Sequence, residues 1–333
     1  MKIAFRADGD PHIGTGHLSR CGAIALACME RQLEVCFYSR EGSLSWLRAQ
    51  GLPFEILPIF PTVAEETAFF IKKAGQWGAA WAVIDSYRLD TESYAATHAA
   101  MKSMVVDDYA RLPYRADIFL NANLYAPALD CSHIQAEKFL LGGQYAILRK
   151  EFQLIPPAPF HEDVRRILIT MGGADINSYT PFVLEALRDI EVEEILVILG
   201  AYARCQDAVQ AAAKQCKSPV RILIAPPNIA ALFASCDLAI SAAGSTVYEL
   251  CVLGVPSILI QQADNQRLIR EYFQRTPSMS ALEDYGHVSA QQIANETLSL
   301  IHSADRRKTM RETMMRLVTR FGVSNIVDAL ITT

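Results

Sequence analysis

Short apolar runs alternate with longer stretches of helical periodicity along the first half of the chain. The runs rich in β-branched and aromatic residues are predicted strands, at residues 2–6, 34–38, 82–85, 103–106 and 118–120. Helical patterns lie between most of these runs. Alternation of strands with helices predicts a parallel α/β sheet that is covered by helices on both faces.

The alternation restarts after a proline-rich segment at residues 153–161. Pro156, Pro157 and Pro159 disfavour both a helix interior and a central strand, so this segment is the predicted linker between two domains. Further predicted strands follow at residues 166–171, 194–199, 220–224, 238–241 and 257–260. The sequence therefore predicts the α/β fold class, with two doubly wound, Rossmann-like domains of similar size.

Composition narrows the class of protein. The chain has 333 residues, 51% hydrophobic and 20% charged, which is typical of a globular protein and enough for two cores. Its net charge of −5 gives no electrostatic footprint for nucleic acid. No signal segment is recognisable, and no apolar run approaches the roughly 18 residues that span a membrane, so we expect a cytoplasmic protein without a membrane partner. The eight cysteines form no C-x-x-C pair and the seven histidines no H-x-x-x-H pair, so we expect reduced, buried thiols and no metal.

A glycine-bearing turn, Gly14-Thr15-Gly16-His17, joins the first predicted strand to an apolar helical stretch. Glycine permits a tight turn and a close approach of ligand to backbone. A helix N-terminus opposes positive charge on an imidazole, so we expect His17 to be neutral and available as a base. The residues alone leave two alternatives open: His17 as a helix cap or packed side chain, and a weak dinucleotide motif in which Ser19 replaces the third glycine.

Two more glycine-bearing loops follow predicted strands of the second domain, where ligands of α/β sheets bind. The first contains Gly172-Gly173 and the second Gly244-Ser245-Thr246. Backbone N–H groups and hydroxyls at a helix start suit a diphosphate, although Ser245 or Thr246 could equally be a plain N-cap. Glu249, one turn into that helix, is either a ribose ligand or a solvated carboxylate. A polar run that contains Asn265 and Gln266 follows the next strand.

Two acidic clusters follow strands of the first domain. They are Asp85-Ser86-Tyr87 and Asp107-Asp108-Tyr109. Their side chains either line a ligand site or serve turn and cap chemistry.

The motifs together resemble the UDP-sugar hydrolases of pseudaminic acid biosynthesis. The resemblance spans almost the whole chain in consistent order, and it rests on four segments: Arg6-x-Asp8…Ile13-Gly14-x-Gly16-His17-x-x-Arg20, residues 143–152, Gly172-Gly173-x-Asp175-x-Asn177, and residues 242–256 with Asn265-Gln266. The last segment is shared with glycosyltransferases that use UDP-N-acetylglucosamine. It therefore identifies the nucleotide-sugar class better than the reaction.

The resemblance implies a glycosyltransferase-B fold with two domains facing a cleft. It divides the chain into an N-terminal catalytic domain (1–152), a linker (153–164) and a C-terminal UDP-binding domain (165–315), with a last helix at about 316–333 packing back on the first domain. It implies a monomer that uses no cofactor and hydrolyses UDP-2,4-diacetamido-2,4,6-trideoxy-β-L-altrose to free sugar and UDP.

The resemblance also assigns roles to residues. His17 is the implied base, and Asp8 orients it or binds sugar hydroxyls. The backbone near Ile229 reads uracil. The implied substrate contacts are Arg6, Gly14, Gly16, Arg20, Gly173, Asn177, Ile229, Gly244, Ser245, Thr246, Glu249, Asn265 and Gln266. Two alternatives of other classes remain: an inverting UDP-sugar glycosyltransferase of the same fold, and a non-catalytic nucleotide-sugar binding protein.

Overall fold

The computed structural model describes residues 1–9, 14–173, 175, 177–201 and 203–333. The chain forms two compact units. The first unit comprises residues 1–149 and 321–333, and the second comprises residues 150–320. The segment predicted as a linker, 153–164, thus belongs to the second unit, and the chain returns to the first unit at residue 321.

A seven-stranded parallel sheet forms the centre of the first unit. Its strands, in chain order, are β1 (Lys2–Ala7), β2 (Glu34–Ser39), β3 (Phe54–Ile56), β4 (Trp81–Asp85), β5 (Lys102–Val106), β6 (Arg115–Asn121) and β7 (Gln135–Leu141). The helices are α1 (Gly16–Glu30), α2 (Leu44–Ala49), α3 (Val63–Trp77) and α4 (Thr91–Ala100), joined by α13 (Gly322–Thr332) from the end of the chain. Separate apolar clusters cover the two faces of the sheet.

The second unit is built around a six-stranded parallel sheet. Its strands are β8 (Arg166–Thr170), β9 (Glu194–Leu199), β10 (Val220–Ile224), β11 (Leu238–Ala242), β12 (Ser257–Gln261) and β13 (Ser280–Asp284). Its helices are α5 (Lys150–Leu154), α6 (Tyr179–Ala186), α7 (Gln206–Ala213), α8 (Ile229–Ala234), α9 (Thr246–Leu253), α10 (Arg267–Arg275), α11 (Ala290–Ile301) and α12 (Ala304–Leu317).

The strand orders confirm the predicted doubly wound fold. The first sheet has the order β3-β2-β1-β4-β5-β6-β7 and the second the order β10-β9-β8-β11-β12-β13. In each sheet the direction of winding reverses between two central neighbours, β1 and β4 or β8 and β11. Such a reversal opens a crevice at the carboxyl ends of the strands, where ligands bind.

Helix ends follow local sequence signals. Thr62 and Glu65 form a reciprocal capping box at the start of α3, and Gly78 ends that helix in the left-handed conformation at φ 82°. Ser289 and Gln292 form a second capping box at α11. These caps pair backbone groups that the helix leaves without partners.

The last helix of the chain, expected at about 316–333, is α13 (Gly322–Thr332), which belongs to the first unit. The preceding helix α12 ends at Leu317 in the second unit, and the chain passes to the first unit at residue 321. Helix α13 packs on α1 and on the short 3₁₀ turn Gly143–Tyr145. Among the described residues, no helix is both long enough and apolar enough to cross a membrane.

Candidate functional site

The central feature of the first unit is a histidine–carboxylate pair at the reversal point of its sheet. His17 is the second residue of α1, and Asp85 is the last residue of the neighbouring strand β4. His17 Nδ1 lies 2.6 Å from Asp85 Oδ1, and the Asp85 side chain is fully buried. A hydrogen bond from Nδ1–H to the carboxylate leaves Nε2 as the acceptor nitrogen of a neutral imidazole.

Arg20 holds the other side of the Asp85 carboxylate. Its Nη2 donates to Asp85 Oδ1 at 2.7 Å and its Nε donates to Asp85 Oδ2, which makes a bidentate pair. Burial alone would raise the pKa of Asp85, but the Arg20 guanidinium and His17 together lower it below its ordinary value. Asp85 is therefore a fixed negative charge against His17.

The Asp108 carboxylate accepts hydrogen bonds from the remaining donors of this cluster. Arg20 Nη1 donates to both of its oxygens at 2.8 Å, the Tyr87 hydroxyl donates at 2.6 Å, and Asn123 Nδ2 donates at 2.7 Å. The Tyr87 ring stands edge-on to the imidazole of His17, with ring centroids 4.6 Å apart. The cluster thus runs without interruption from Asn123 to His17.

A second buried network holds Asp8, which follows β1. Arg6 is 1% exposed and pairs with Asp8 Oδ2 at 2.8 Å and with Glu66 of α3. The backbone N–H of Arg40 donates to Asp8 Oδ1 at 2.8 Å, while its guanidinium pairs with Glu66. Burial would raise the pKa of Glu66, but Arg40 and Arg6 lower it. Asp8 is therefore held by the buried Arg6 guanidinium and by the backbone N–H of Arg40.

A small cavity joins the two networks. Its volume is about 30 Å³, and the residues that line it are Asp8, His17, Asp85, Ser86, Tyr87 and Arg88. A space of this volume can hold a water molecule. The first unit therefore presents a histidine backed by a carboxylate beside a water-sized space.

The two glycines before His17 differ in backbone conformation. Gly14 has φ +74°, which favours glycine, whereas Gly16 lies at the start of α1 without a positive φ. A Cβ at Gly16 would meet no atom within 4 Å. The fold itself does not require glycine there. Ile13, part of the first motif, lies outside the described residues.

The second unit brings the other two glycine loops to the reversal point between β8 and β11. Gly172 has φ +81°, and a Cβ on Gly200 would lie 1.9 Å from the carbonyl oxygen of Gly173. Asp175 is 4% exposed, and its two oxygens accept from the backbone N–H groups of Tyr179 and Thr180 at 2.8 and 3.0 Å. It thereby pairs the first two backbone N–H groups of α6, whose N-cap position is Ser178.

Polar side chains link these loops. Asn177 Nδ2 donates to the carbonyl of Gln262 at 2.7 Å, and Gln266 Oε1 accepts from the backbone N–H of Gln262 at 2.8 Å. Gln266 Nε2 would lie 3.7 Å from a Cβ on Gly244. Asn177, Gly244 and Gln266 are therefore neighbours, and exposed Asn265 adjoins them in the chain.

Helix α9 begins two residues after Gly244. Ser245 occupies its N-cap position and makes no side-chain cap hydrogen bond. Thr246 is the first residue of the helix. Glu249 is 7% exposed, which contradicts the alternative of a solvated carboxylate. Ile229 begins α8, which packs beside α9; no described contact joins Ile229 itself to the glycine loops.

Sequence reasoning missed several members of the site. Asp85, Tyr87 and Asp108 stood only as weak candidates at strand ends, and the order of the strands is what brings them to His17. Glu66 carries no sequence signal, since it lies inside a helix 60 residues from Arg6. The eight cysteines form no disulfide. In the described part of the chain, no three histidine, cysteine or acidic side chains lie together in an arrangement that could hold a metal ion.

Comparisons with known proteins agree with this architecture. Residues 166–320 match the family model "Glycosyltransferase family 28 C-terminal domain". The MurG structure of Acinetobacter baumannii has a TM-score of 0.76 at 14% identity and is covered over 100% of both chains. The glycosyltransferase VinC in complex with dTDP has a TM-score of 0.67 at 15% identity, over 99% of both chains. The fold is that of the glycosyltransferase-B enzymes.

Three curated relatives are distant. The UDP-2,4-diacetamido-2,4,6-trideoxy-beta-L-altropyranose hydrolase of Campylobacter jejuni is 26% identical over 76% of this chain and 89% of its own. The spore coat polysaccharide biosynthesis protein SpsG of Bacillus subtilis is 23% identical over 82% and 81%. The uncharacterized protein MJ1062 of Methanocaldococcus jannaschii is 24% identical over 80% of this chain, which spans only 57% of that relative's length. These matches support the glycosyltransferase-B-like superfamily and not one enzyme within it.

Proposed function

We propose that this protein hydrolyses a UDP-linked 2,4-diacetamido-2,4,6-trideoxy hexose to free sugar and UDP, as a step in the biosynthesis of a pseudaminic-type acid. The observation that carries the proposal is the pair of His17 with buried Asp85 beside a water-sized cavity. The order of the motifs along the chain and the name of the Campylobacter jejuni relative support the choice of substrate.

In the proposed reaction, His17 Nε2 accepts a proton from a water molecule. The water oxygen forms a bond to the anomeric carbon while the bond from that carbon to the phosphate oxygen breaks, and UDP leaves with the electron pair. This single displacement inverts the anomeric centre. The ionised Asp85 stabilises the imidazolium that forms, and general-base assistance of this kind contributes roughly 10²–10⁴-fold.

The second unit is the proposed nucleotide site. The backbone N–H groups at the start of α9, after Gly244, suit the diphosphate, because a helix N-terminus favours negative charge. Glu249 is the proposed acceptor for ribose hydroxyls, and Asn177 and Gln266 supply further polar groups. In this scheme, the charge on the departing UDP is met by backbone dipoles.

A glycosyltransferase is the second candidate, because residues 166–320 match a domain that is named for glycosyltransferases. A transferase must accommodate an acceptor hydroxyl and the molecule that carries it beside the base. The space of about 30 Å³ next to His17 is large enough for the water molecule that the proposed hydrolysis needs.

One experiment separates the candidates. The protein is incubated in ¹⁸O-water with a panel of UDP-sugars and no acceptor, and the products are read by mass spectrometry. We expect UDP release with the label in the free sugar and none in UDP. Label in UDP would place attack at phosphorus, and release that needs an added acceptor would make the protein a transferase.

A further inference from the structure

Asp108 makes a larger set of side-chain contacts than a turn residue needs. It follows β5, and its carboxylate accepts hydrogen bonds from Arg20 of α1, Tyr87 after β4 and Asn123 after β6. These donors come from three separate segments of the first unit. Burial would raise the pKa of Asp108, but Arg20, Tyr87 and Asn123 lower it, so the carboxylate is ionised at neutral pH.

Two of the groups that Asp108 holds touch His17. Arg20 Nη2 lies 3.3 Å from His17 Nδ1, and the Tyr87 ring packs edge-on against the imidazole at 4.6 Å. Arg111 packs over the Tyr87 ring, with its guanidinium carbon 4.3 Å from the ring centroid. Asp108 itself makes no described contact with His17, so it acts on the imidazole only through its neighbours.

The charged groups around His17 determine how Asp108 acts on the imidazole. Asp85 contacts the imidazole, and Asp8 and Arg88 line the same cavity. Arg20 shares its positive charge between Asp85 and Asp108. With Asp108 ionised, the cluster of Arg20, Asp85 and Asp108 carries one net negative charge, which favours a proton on His17. Without the charge of Asp108 that cluster is neutral, and protonation of the imidazole loses this assistance.

We propose that Asp108 is a positioning residue for the base: it fixes Arg20 and Tyr87 against His17 and supplies the negative charge that offsets Arg20 when His17 accepts a proton. The proposal rests on the proposed function, because it assumes that His17 is the base. It assigns no direct contact with substrate to Asp108.

The test measures His17 without any substrate. Imidazole ¹⁵N signals are followed by NMR as a function of pH in the full chain, and the His17 signal is identified by its loss in His17→Asn. The variant Asp108→Asn removes the charge and keeps the size of the side chain. We expect the midpoint of the His17 titration to fall relative to wild type, because the substitution removes a negative charge from the cluster beside the imidazole.

Two further variants make the result specific. Asp108→Glu keeps the charge, so its midpoint should stay near the wild-type value. Asp117→Asn is the matched control: Asp117 is a 7%-exposed carboxylate of β6 that lies 3.2 Å from another histidine, His98. It should leave the His17 midpoint unchanged. If Asp108→Asn does not fold, Asp108→Ser removes the same charge with a smaller side chain.

Steady-state kinetics complete the test. In Asp108→Asn we expect kcat for UDP release to fall roughly tenfold or more, because small misplacements of catalytic groups are costly, with the acid limb of the rate profile displaced in the same direction as the NMR midpoint. An unchanged His17 midpoint in a folded charge-removed variant overturns the proposal. If the wild type releases no UDP, the proposed function is wrong. The NMR result does not depend on turnover, so it would still test whether Asp108 acts on His17.

Discussion

At the scale of single residues, the His17–Asp85 pair is the most informative contact. The imidazole is 11% exposed and the carboxylate is fully buried, so the pair reaches solvent only through the histidine. An ionised carboxylate at 2.6 Å fixes the orientation and tautomer of the ring. This arrangement predicts a base and not a helix cap.

The variant His17→Asn should lower kcat for UDP release by roughly 10²–10⁴-fold, since it removes the acceptor of the proton. It should leave the affinity for UDP nearly unchanged, because the proposed nucleotide contacts lie in the second unit. Steady-state kinetics and calorimetric titration with UDP measure the two quantities.

A second histidine–carboxylate pair provides the control. His98 Nδ1 lies 3.2 Å from Asp117 in the same unit, away from the cavity residues. His98→Asn should keep wild-type turnover. Near-normal turnover in His17→Asn would remove that residue from the mechanism.

At the scale of elements, the buried central strands were predictable, whereas three of the four edge strands were not. The fourth edge strand, β10, was found from its apolar sequence. β1, β4, β5, β8 and β11 are almost entirely buried, so their sequences are continuous apolar runs. The three strands missed by the sequence pattern are β3, β7 and β13, all at sheet edges. β3 has three residues, β7 alternates between exposed and half-buried positions up to its one buried residue, Leu140, and β13 has no buried residue.

The same reasoning explains what could be predicted of the site. The glycine loops were found because turns between strand and helix need particular residues. Asp85 and Asp108 could be placed only at strand ends, because their partner Arg20 is 65 and 88 residues away in the chain. The contact between them depends on strand order, which a single sequence does not give.

The start of α13 shows how closely one element can pack on another. A Cβ on Gly322 would lie 2.2 Å from the carbonyl oxygen of Ala146. Gly322→Ala should therefore destabilise the first unit by roughly 1–3 kcal/mol, the usual cost of overpacking. The tryptophans Trp46, Trp77 and Trp81 all lie in this unit, so urea unfolding followed by tryptophan fluorescence reports its stability.

Gly75→Ala is the control for that substitution. Gly75 lies inside α3, and a Cβ there would meet no atom within 4 Å. Alanine should stabilise the helix by roughly 0.5–1 kcal/mol. Equal effects of the two substitutions would mean that α13 does not approach residue 146 as described.

At the scale of the whole molecule, the two units differ in their response to acid. Asp85, Asp108 and Glu66, all in the first unit, have pKa values that their arginine partners lower against the effect of burial. A carboxyl group whose pKa is lower in the folded state contributes stability above its unfolded pKa of about 4, and this stability is lost as the pH falls through the folded value. In the described part of the second unit, the carboxyl groups whose pKa is lowered are Asp189 and Asp284. Their side chains are 67% and 33% exposed.

We therefore expect the first unit to lose stability before the second as the pH is lowered below about 4. Tryptophan fluorescence should report a transition at a higher pH than the loss of far-ultraviolet circular dichroism of the whole chain. In Asp108→Asn, the dependence of tryptophan-monitored stability on pH should be shallower than in wild type. A single coincident transition with the wild-type slope in the variant would contradict this account.

The return of the chain to its first unit gives the last prediction. Ile326, Val327 and Leu330 of α13 are 0–1% exposed in the core of that unit, although they follow the whole second unit in sequence. Burial of one such side chain contributes roughly 1.5–3 kcal/mol, so the loss of all three approaches the entire stability of a typical domain.

A chain that ends at Arg320 should have an unfolded first unit, with solvent-exposed tryptophan emission and no turnover. Its second unit, residues 150–320, loses none of its own residues and should bind UDP as the full chain does. A chain that lacks only Thr332 and Thr333 is the control, and it should behave as wild type in both measurements. If the chain ending at Arg320 kept native tryptophan emission and cooperative unfolding, α13 would not be part of the core of the first unit.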